Sequence, residues 1–400
     1  MQGVAVTVPH RLLPAVSLDA YLGEPRGRYP ELAERFLPPR EFVWGGFTAS
    51  DGAVLRWGHL PVPKALPRVR AACVIAVGFG EFIEKHFETM RDLAARGIAV
   101  WCLDWRGQGR SIRPSRFPTR PRARNFNRDA EDLAEFAAAQ LPRDLPRLLV
   151  AHSMGGAIAL VCLRRHPGLF AGAVLSSPMV GLRTGKLPPT LVRVLTVPAR
   201  AAGLGHCFIP GAREWRPDRV PTPQTSRVTT DAERVRLRHA WFSADPELRL
   251  DQATYGWVDS ALALVARISK PEFLAAIRTP ILIGQPEHER VVSGAATRRA
   301  ARRLPNCRLV ELAGSKHDPF LECDTVRDYW FGCLDRFIAE RVGEPLPAQD
   351  PDPAEGIEIA AGLAARRLRW PIPRALAARR RTATAHHLRR RIAGITITRK

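Results

Sequence analysis

Short apolar runs alternate with helical segments through the middle of this chain. Four runs have the length and composition of buried strands: residues 72–77, 98–103, 148–151 and 171–175. Three segments between them show the apolar spacing of an amphipathic helix: residues 87–96, 130–141 and 154–165. Such alternation predicts an α/β fold with a mostly parallel sheet and helices on both of its faces.

The alternation is framed by a hairpin and broken once. Two β-prone runs, 41–44 and 54–60, flank the turn sequence Ser50-Asp51-Gly52 and predict the hairpin. Residues 181–270 are short helical pieces punctuated by prolines, which predicts an insertion over the sheet after the sixth strand. Strand and helix patterns then resume at residues 281–284, 295–303, 308–311 and 325–342.

These changes in pattern predict three parts of the chain. Residues 1–39 form a Pro-rich leader, and residues 40–345 form one α/β domain that includes the insertion. Residues 346–400 form a Pro-rich linker and a basic, flexible tail. With 400 residues and 46% apolar content, the chain is long enough to bury a substantial core.

The formal charge of +22 is partly local, because residues 354–400 carry twelve Arg or Lys against two Glu and contribute +10. This charge suits the surface of an anionic membrane. A solvated tail without a partner is the alternative, and the dominance of Arg over Lys can also reflect a GC-rich coding sequence.

The seven cysteines are odd in number and scattered, without the spacing of metal ligands. We therefore expect reduced core thiols in a cytoplasmic protein, and neither a metal nor a cofactor. No early stretch fits a signal peptide, and no run approaches the ~18 apolar residues that span a bilayer. The prediction is a soluble protein, or one at the inner face of the cytoplasmic membrane.

Residues 151–156, Ala-His-Ser-Met-Gly-Gly, join a predicted strand to a predicted helix. Small residues around a serine at such a turn are typical of a nucleophile elbow, in which a strained backbone exposes the hydroxyl. Ser153 is thus the candidate nucleophile, although Ala151 stands where glycine is usual. A helix that simply starts at a serine, without chemistry, is the alternative.

A serine nucleophile needs a histidine base and an acid that orients it, in the chain order serine, acid, histidine. His317 follows the run 308–311 on a loop that enters the last helix. The loop after 281–284 offers two acids, Glu287 and Glu289, and spacing favours Glu289 without excluding Glu287. A solvated loop carboxylate is the alternative for either one, and we expect the neighbouring Asp318 to be structural.

The negative charge that develops on the attacked carbonyl oxygen needs two preorganised backbone donors. The amide of Met154, directly after the candidate nucleophile, provides one. The glycine-rich loop 77–81 after the first core strand can turn the Phe79 amide inward as the second. An ordinary glycine-rich turn is the alternative.

Three motifs resemble the monoglyceride-lipase and lysophospholipase branch of the α/β-hydrolases: residues 78–81 (Gly-Phe-Gly-Glu), 104–111 (Asp-Trp-Arg-Gly-Gln-Gly-Arg-Ser) and 152–156 (His-Ser-Met-Gly-Gly). Further segments are similar to bacterial lysophospholipases associated with the inner membrane: residues 229–234, 245–246, 254–258 and 285–292. The resemblance spans residues 40–342. That family places its acid immediately before an Arg-Val-Val stretch, which implies Glu289 rather than Glu287. Ala151, Gly78 and Ser293 depart from the family's usual residues.

The resemblance implies an α/β-hydrolase with a helical cap that cleaves a lipid ester, either a lysophospholipid or a monoacylglycerol. Ser153, Glu289 and His317 would form the triad, and the Phe79 and Met154 amides the oxyanion hole. Aromatic residues of the insertion would line an acyl site, with ordinary packing as the alternative for each: Trp215, Trp241, Phe242, Tyr255 and Trp257.

The sequence is also compatible with two other functions. The same triad could hydrolyse a small carboxylic ester or transfer an acyl group. The chain could also be a non-catalytic protein that binds membrane or nucleic acid, but it contains no recognised nucleic-acid-binding motif. We expect a lipid substrate, peripheral contact with an anionic membrane, no nucleic acid and no obligate protein partner.

Overall fold

Eight strands form one mixed sheet in the computed structural model, which describes residues 29–185 and 187–344. The spatial order of the strands is β1-β2-β4-β3-β5-β6-β7-β8. Their bounds are β1 Val43–Thr48, β2 Val54–Leu60, β3 Ala71–Ala76, β4 Ile98–Leu103, β5 Arg147–His152, β6 Gly172–Ser176, β7 Ile281–Pro286 and β8 Cys307–Leu312. The predicted leader lies mostly, and the predicted basic tail entirely, outside the described residues.

The sheet is antiparallel at one edge and parallel elsewhere. The hairpin β1–β2 pairs in antiparallel fashion, β2 joins β4 in the same way, and the other neighbouring strands pair in parallel. Strands β3, β4, β6 and β7 are buried along their whole length, which fits their nearly continuous apolar sequences. The carboxyl ends of the parallel strands therefore meet at one edge of the sheet, where ligands of such folds bind.

Helices cover both faces of the sheet. The described residues form nine α-helices: α1 Phe87–Ala95, α2 Phe126–Gln140, α3 Met154–Arg165, α4 Pro189–Ala201, α5 Leu237–Ala244, α6 Tyr255–Ile268, α7 Pro271–Ala275, α8 Gly294–Ala301 and α9 Asp324–Val342. In β1, Trp44 lies against Phe87 of α1, whereas Phe47 lies against Phe136 of α2. Because side chains alternate along a strand, this odd spacing puts α1 and α2 on opposite faces.

The predicted fold class is confirmed, with a mostly parallel sheet and helical elements inserted after the sixth strand. Two predicted elements differ from the structure by more than two residues at one end. Strand β1 begins at Val43 rather than at residue 41 and extends to Thr48. Helix α2 begins at Phe126 rather than at 130, because Asn125 caps its first turn by accepting a hydrogen bond from the Arg128 amide.

Helices α4, α5 and α6 form the cap, which buried ion pairs join to the rest of the protein. The Arg110 guanidinium lies 2.6 Å from Asp245, the residue that follows α5, and both side chains are buried. Arg234, just before α5, donates two hydrogen bonds of 2.7 Å to Glu88 on α1. The burial of each charge is tolerable because its partner is in place. No helix of the described residues is both long and apolar enough to cross a bilayer.

Removing one partner of the Arg110–Asp245 pair should destabilise the protein strongly. Asp245→Asn leaves a buried guanidinium without its counter-charge, and we expect a loss of about 3–5 kcal/mol in the free energy of unfolding. Glu247→Gln is the control, because Glu247 is exposed and lies 3.5 Å from the same guanidinium. We expect this variant to lose less than about 1 kcal/mol. Urea unfolding measures both, and equal losses would contradict a dominant role for the buried pair.

Candidate active site

Ser153 occupies a strained turn between β5 and α3. Its φ of 49° makes it one of two non-glycine residues with positive φ in the described part of the chain, the other being Ser177. The first turn of α3, directly after Ser153, requires small residues. A Cβ on Gly155 would lie 2.0 Å from the Ala76 carbonyl oxygen. A Cβ on Gly156 would lie 2.8 Å from Pro178. The glycines thus let α3 pack closely on the sheet while the strained turn presents Ser153.

His317 lies between Ser153 and Glu289. Its Nε2 atom is 2.9 Å from the Ser153 hydroxyl oxygen, and its Nδ1 atom is 2.8 Å from a Glu289 carboxylate oxygen. All three residues are buried. If Nδ1 carries the proton, it donates to Glu289, and Nε2 is free to accept the proton of the serine hydroxyl. The structure therefore brings together three residues that are far apart in sequence.

The structure brings Glu289, not Glu287, to the histidine. The second carboxylate oxygen of Glu289 accepts hydrogen bonds from the backbone amides of Val291 and Val292, at 2.6 and 3.0 Å. Burial favours the neutral acid, but the hydrogen bond and charge of His317 and the two amides outweigh it, so the pKa of Glu289 lies below its ordinary value. Glu287 instead accepts a hydrogen bond from the Gly314 amide, and about half of its side chain is exposed.

The two predicted oxyanion donors lie on the loop after β3 and at the start of α3. Among the described residues, the amides of Phe79 and Met154 make no hydrogen bond to protein. Met154 is the first residue of α3, where backbone amides lack helical partners and the helix dipole favours negative charge. Both amides are therefore available to an anionic oxygen.

Gln108 holds the Phe79 loop in place, a role that the sequence analysis did not predict. Its side-chain oxygen accepts the Gly80 amide at 3.2 Å, while its side-chain nitrogen donates to the carbonyls of Gly78 and Glu81. The motif 104–111 contains a sequence signal for this role, because its glycines allow a tight turn that brings the Gln108 side chain to the Phe79 loop. The motif alone, however, does not indicate which backbone groups Gln108 binds.

Asp104, the first residue of the motif 104–111, holds the turn of this motif through hydrogen bonds. Its carboxylate accepts from the Arg56 guanidinium and from the backbone amides of Ile83 and Arg110. Gly109 is required by this arrangement, because a Cβ there would lie 1.9 Å from an Asp104 oxygen. Asp104 and Arg56 are both buried, so the motif forms a structural base and does not line the reacting groups.

A buried cluster of charges links three loops of the site. The Lys85 ammonium contacts Glu81, on the Phe79 loop, and lies 3.0 Å from Asp318, next to His317. His152, the residue before Ser153, lies 3.7 Å from Glu81 and 3.8 Å from Asp318. Asp318 also accepts the Phe320 amide, which agrees with the structural role expected for it.

The Lys85 ammonium favours the charged form of the carboxylates beside it. Burial opposes the charge of Glu81, but Lys85 outweighs this effect and holds the pKa of Glu81 well below its ordinary value. Burial lowers the pKa of His152, which favours its neutral form. Glu81, His152 and Asp318 are close enough together to hold a metal ion. Lys85 already places a positive charge against both carboxylates, so the protein itself neutralises this group.

Cap residues hold the His317 loop. The amide of Asp318 donates to the Val228 carbonyl at 2.9 Å. Glu322, after this loop, accepts hydrogen bonds from the Lys316 amide and from the amide and hydroxyl of Thr230. The Thr229-Thr230 motif therefore positions the loop rather than reacting itself. The sequence showed the motif but not its contact.

Two of the five cap aromatics are packing residues. Trp241 and Phe242 are fully buried, Trp241 against Phe87 and Phe242 stacked on Phe82. The alternative of ordinary packing therefore holds for these two. Trp257 instead contacts the loop after β3, because the centroid of its ring lies 4.2 Å from that of Phe79.

Comparisons with known proteins give the family of this chain. Residues 67–324 match the family described as serine aminopeptidase S33. Lysophospholipase L2 of Escherichia coli K12 is 30% identical over 285 residues, which cover 66% of this chain and 81% of the relative. This chain belongs to that family of α/β-hydrolases. A monoacylglycerol lipase of Mycolicibacterium smegmatis is 29% identical over 258 residues, which cover 63% of this chain and 83% of the relative.

The fold of this α/β-hydrolase is shared with solved structures. A soluble variant of monoglyceride lipase from Saccharomyces cerevisiae, in complex with a substrate analogue, aligns with a TM-score of 0.58 at 19% identity. The alignment covers 75% of this chain and 96% of that one. The relatives place the chain in the lysophospholipase and monoglyceride-lipase branch that its motifs implied.

Substitution of the two candidate acids should separate their contributions. Glu289→Gln keeps the shape of the side chain but removes the charge that orients His317, and we expect kcat on a soluble nitrophenyl ester to fall about 10³- to 10⁴-fold. Glu287→Gln is the matched control and should change kcat less than about twofold. Comparable losses in both variants would argue against Glu289 as the orienting acid.

Proposed function

We propose that this α/β-hydrolase cleaves the carboxylic ester of a monoacyl lipid, a lysophospholipid or a monoacylglycerol, through an acyl-enzyme on Ser153. The observation that carries the proposal is the continuous contact from Ser153 through His317 to Glu289, with distances of 2.9 and 2.8 Å. The relatives named lysophospholipase and monoacylglycerol lipase support the choice of lipid ester.

The reaction would proceed in two steps. His317 takes the Ser153 proton as the hydroxyl oxygen attacks the ester carbonyl, and the Phe79 and Met154 amides stabilise the oxyanion. His317 then protonates the departing alcohol. In the second step His317 takes a proton from water as the water attacks the acyl-enzyme, and it returns this proton to the Ser153 oxygen as the fatty acid leaves. Throughout, the Glu289 carboxylate orients the imidazole and stabilises its transient positive charge.

Two related activities use the same groups. Hydrolysis of a small ester would need no acyl site, and acyl transfer would need an alcohol in place of water. Product analysis separates these activities. Fatty acid released from lysophosphatidylcholine or monoacylglycerol supports the proposal, whereas activity confined to short nitrophenyl esters, or an ester product formed from an added alcohol, favours the alternatives. An aminoacyl nitroanilide tests the peptidase activity that the family's description names.

Ser153→Ala should abolish catalysis and active-site labelling together. We expect the rate of ester hydrolysis to fall at least about 10⁴-fold, with loss of labelling by a fluorophosphonate probe. Ser177→Ala is the control, because Ser177 is also buried and has a φ of 48°. This control should keep its labelling. Labelling that survives in Ser153→Ala would reject Ser153 as the nucleophile, and the absence of labelling in wild type would favour a non-catalytic protein.

We further propose that the cap contacts the lipid surface through helix α4. Leu191, Val194 and Leu195 on this helix are 44%, 65% and 55% exposed. Val194 and Leu195 follow Leu191 by three and four positions, which puts all three on one helical face. Leu187, which precedes the helix, is 45% exposed. An exposed apolar face of this kind is typical of a surface that binds a partner or a membrane. A lipid surface is the occupant that fits an enzyme whose substrate resides there.

Polar substitution of this face should weaken membrane binding selectively. The triple variant Leu191→Gln, Val194→Gln, Leu195→Gln should bind anionic vesicles about 10- to 100-fold more weakly, because apolar area no longer enters the interface. Hydrolysis of a soluble ester should not change. Val43→Gln is the control, since Val43 is 47% exposed on the edge strand β1.

A truncated variant that ends at residue 345 distinguishes vesicle binding by the charge of the tail from vesicle binding by the apolar face of α4. Weaker vesicle binding by this chain, with normal hydrolysis of a soluble ester, would support electrostatic attachment by the tail. Vesicle binding that is unchanged in the triple variant would contradict the contact through α4.

A further inference from the structure

We propose that Arg238 binds the phosphate of a lysophospholipid whose ester lies at Ser153, so that the enzyme prefers phosphate-bearing monoacyl lipids to monoacylglycerols. This inference rests on the proposed function and assigns its substrate class. Its starting point is the position of the guanidinium. The Nη1 atom of Arg238, on cap helix α5, lies 3.3 Å from the point that a Cβ on Gly80 would occupy.

Gly80 connects this cation to the reacting groups. It directly follows Phe79, whose amide is the predicted oxyanion donor, and its own amide is bound to Gln108. The guanidinium therefore lies beside the loop that would hold the carbonyl oxygen of the substrate. Gly80 has a φ of 68° and carries no side chain that could separate Arg238 from the loop.

Arg238 differs from the other arginines that join the cap to the rest of the protein. Arg234 and Arg110 are buried and form ion pairs with Glu88 and Asp245. Within the described residues, no ion pair or hydrogen bond holds the Arg238 guanidinium, which stacks over the Phe242 ring at 5.3 Å. The guanidinium therefore has hydrogen-bond donors that the described protein does not engage and that an anionic ligand could take up.

Arg238 lies at the surface, next to the loop that carries Gly80. Its side chain is exposed to water. Nevertheless, surrounding protein lowers the pKa of the guanidinium, and the negative charge of Glu81 opposes this change. Glu81 is not a partner for Arg238, because it already binds Lys85 and the Gly78 amide. An arginine keeps its charge in such a place, so it can attract an anion at any physiological pH.

The chemistry of a lysophospholipid matches this geometry. Its phosphate follows the scissile ester oxygen after only the glycerol carbons and one further oxygen, so an ester at the oxyanion loop leaves the phosphate nearby. A guanidinium binds phosphate oxygens through two parallel hydrogen bonds. A monoacylglycerol has a neutral hydroxyl at the same place and would gain little from Arg238.

The test compares substrates that share one acyl chain and differ in the head group. Lysophosphatidylcholine, lysophosphatidylglycerol and monoacylglycerol are presented in the same neutral detergent micelles to wild type and Arg238→Gln. We expect kcat/KM to fall about 10- to 100-fold on both phospholipids and to stay within about twofold on monoacylglycerol. The loss should lie in KM, because the phosphate is bound equally in the ground state and the transition state.

Two further variants control for charge and geometry. Arg236→Gln removes an exposed arginine just before α5 and should leave the ratio between substrates unchanged. Arg238→Lys should recover part of the loss, because it restores the charge but not the paired hydrogen bonds.

The possible failures can be told apart. Equal losses on all three lipids in Arg238→Gln, or the same selective loss in Arg236→Gln, would overturn the role of Arg238 and leave the proposed function intact. Wild-type enzyme that hydrolyses none of the three lipids would refute the proposed function, and the assignment of Arg238 with it.

Discussion

The ammonium group of Lys85 lies between the carboxylates of Glu81 and Asp318, in a place from which water is largely excluded. Glu81 belongs to the loop with the Phe79 amide, Asp318 follows His317, and His152, beside both carboxylates, precedes Ser153. Ser153, His317 and the Phe79 amide are thus each one or two residues from a member of this cluster. Charges buried at this depth are stable only in one arrangement, so the cluster constrains the relative positions of three loops.

A second buried network supports the first from below. Arg56 pairs with Asp104 and with Glu84, which lies one residue before Lys85. Asp104 in turn fixes the turn from which Gln108 reaches the oxyanion loop. The site therefore rests on two buried networks of paired charges as well as on apolar packing. Such networks are sensitive to the loss of one partner, because the remaining charge cannot reach water.

The sheet and the order of the candidate catalytic residues could be predicted because they depend on local sequence. Buried parallel strands appear as continuous apolar runs, and each candidate residue follows such a run. The first turn of α2 was missed because the residues around its start, Asn125, Asn127 and Arg128, are mostly polar and do not continue the apolar spacing. There a side-chain cap, not periodicity, determines where the helix begins.

The contacts that position the site could not be predicted from the sequence. Spacing alone favoured Glu289 without excluding Glu287, since both follow β7 within a few residues. The difference arises because the Val291 and Val292 amides hold Glu289, whereas Gly314 holds Glu287. Lys85 and Asp318 are 233 residues apart, and Arg110 and Asp245 are 135 apart. No local pattern indicates such partners.

The contact between Trp257 and Phe79 joins two parts of the molecule that have different tasks. Trp257 belongs to cap helix α6, whereas the amide of Phe79, on the loop after β3, is a candidate oxyanion donor. Any displacement of helix α6 that moves the indole also removes the support of the Phe79 ring. In the proposed mechanism, the alignment of the amide with a bound carbonyl would then depend on the position of the cap. The position of the cap and the stabilisation of the oxyanion would therefore be mechanically coupled.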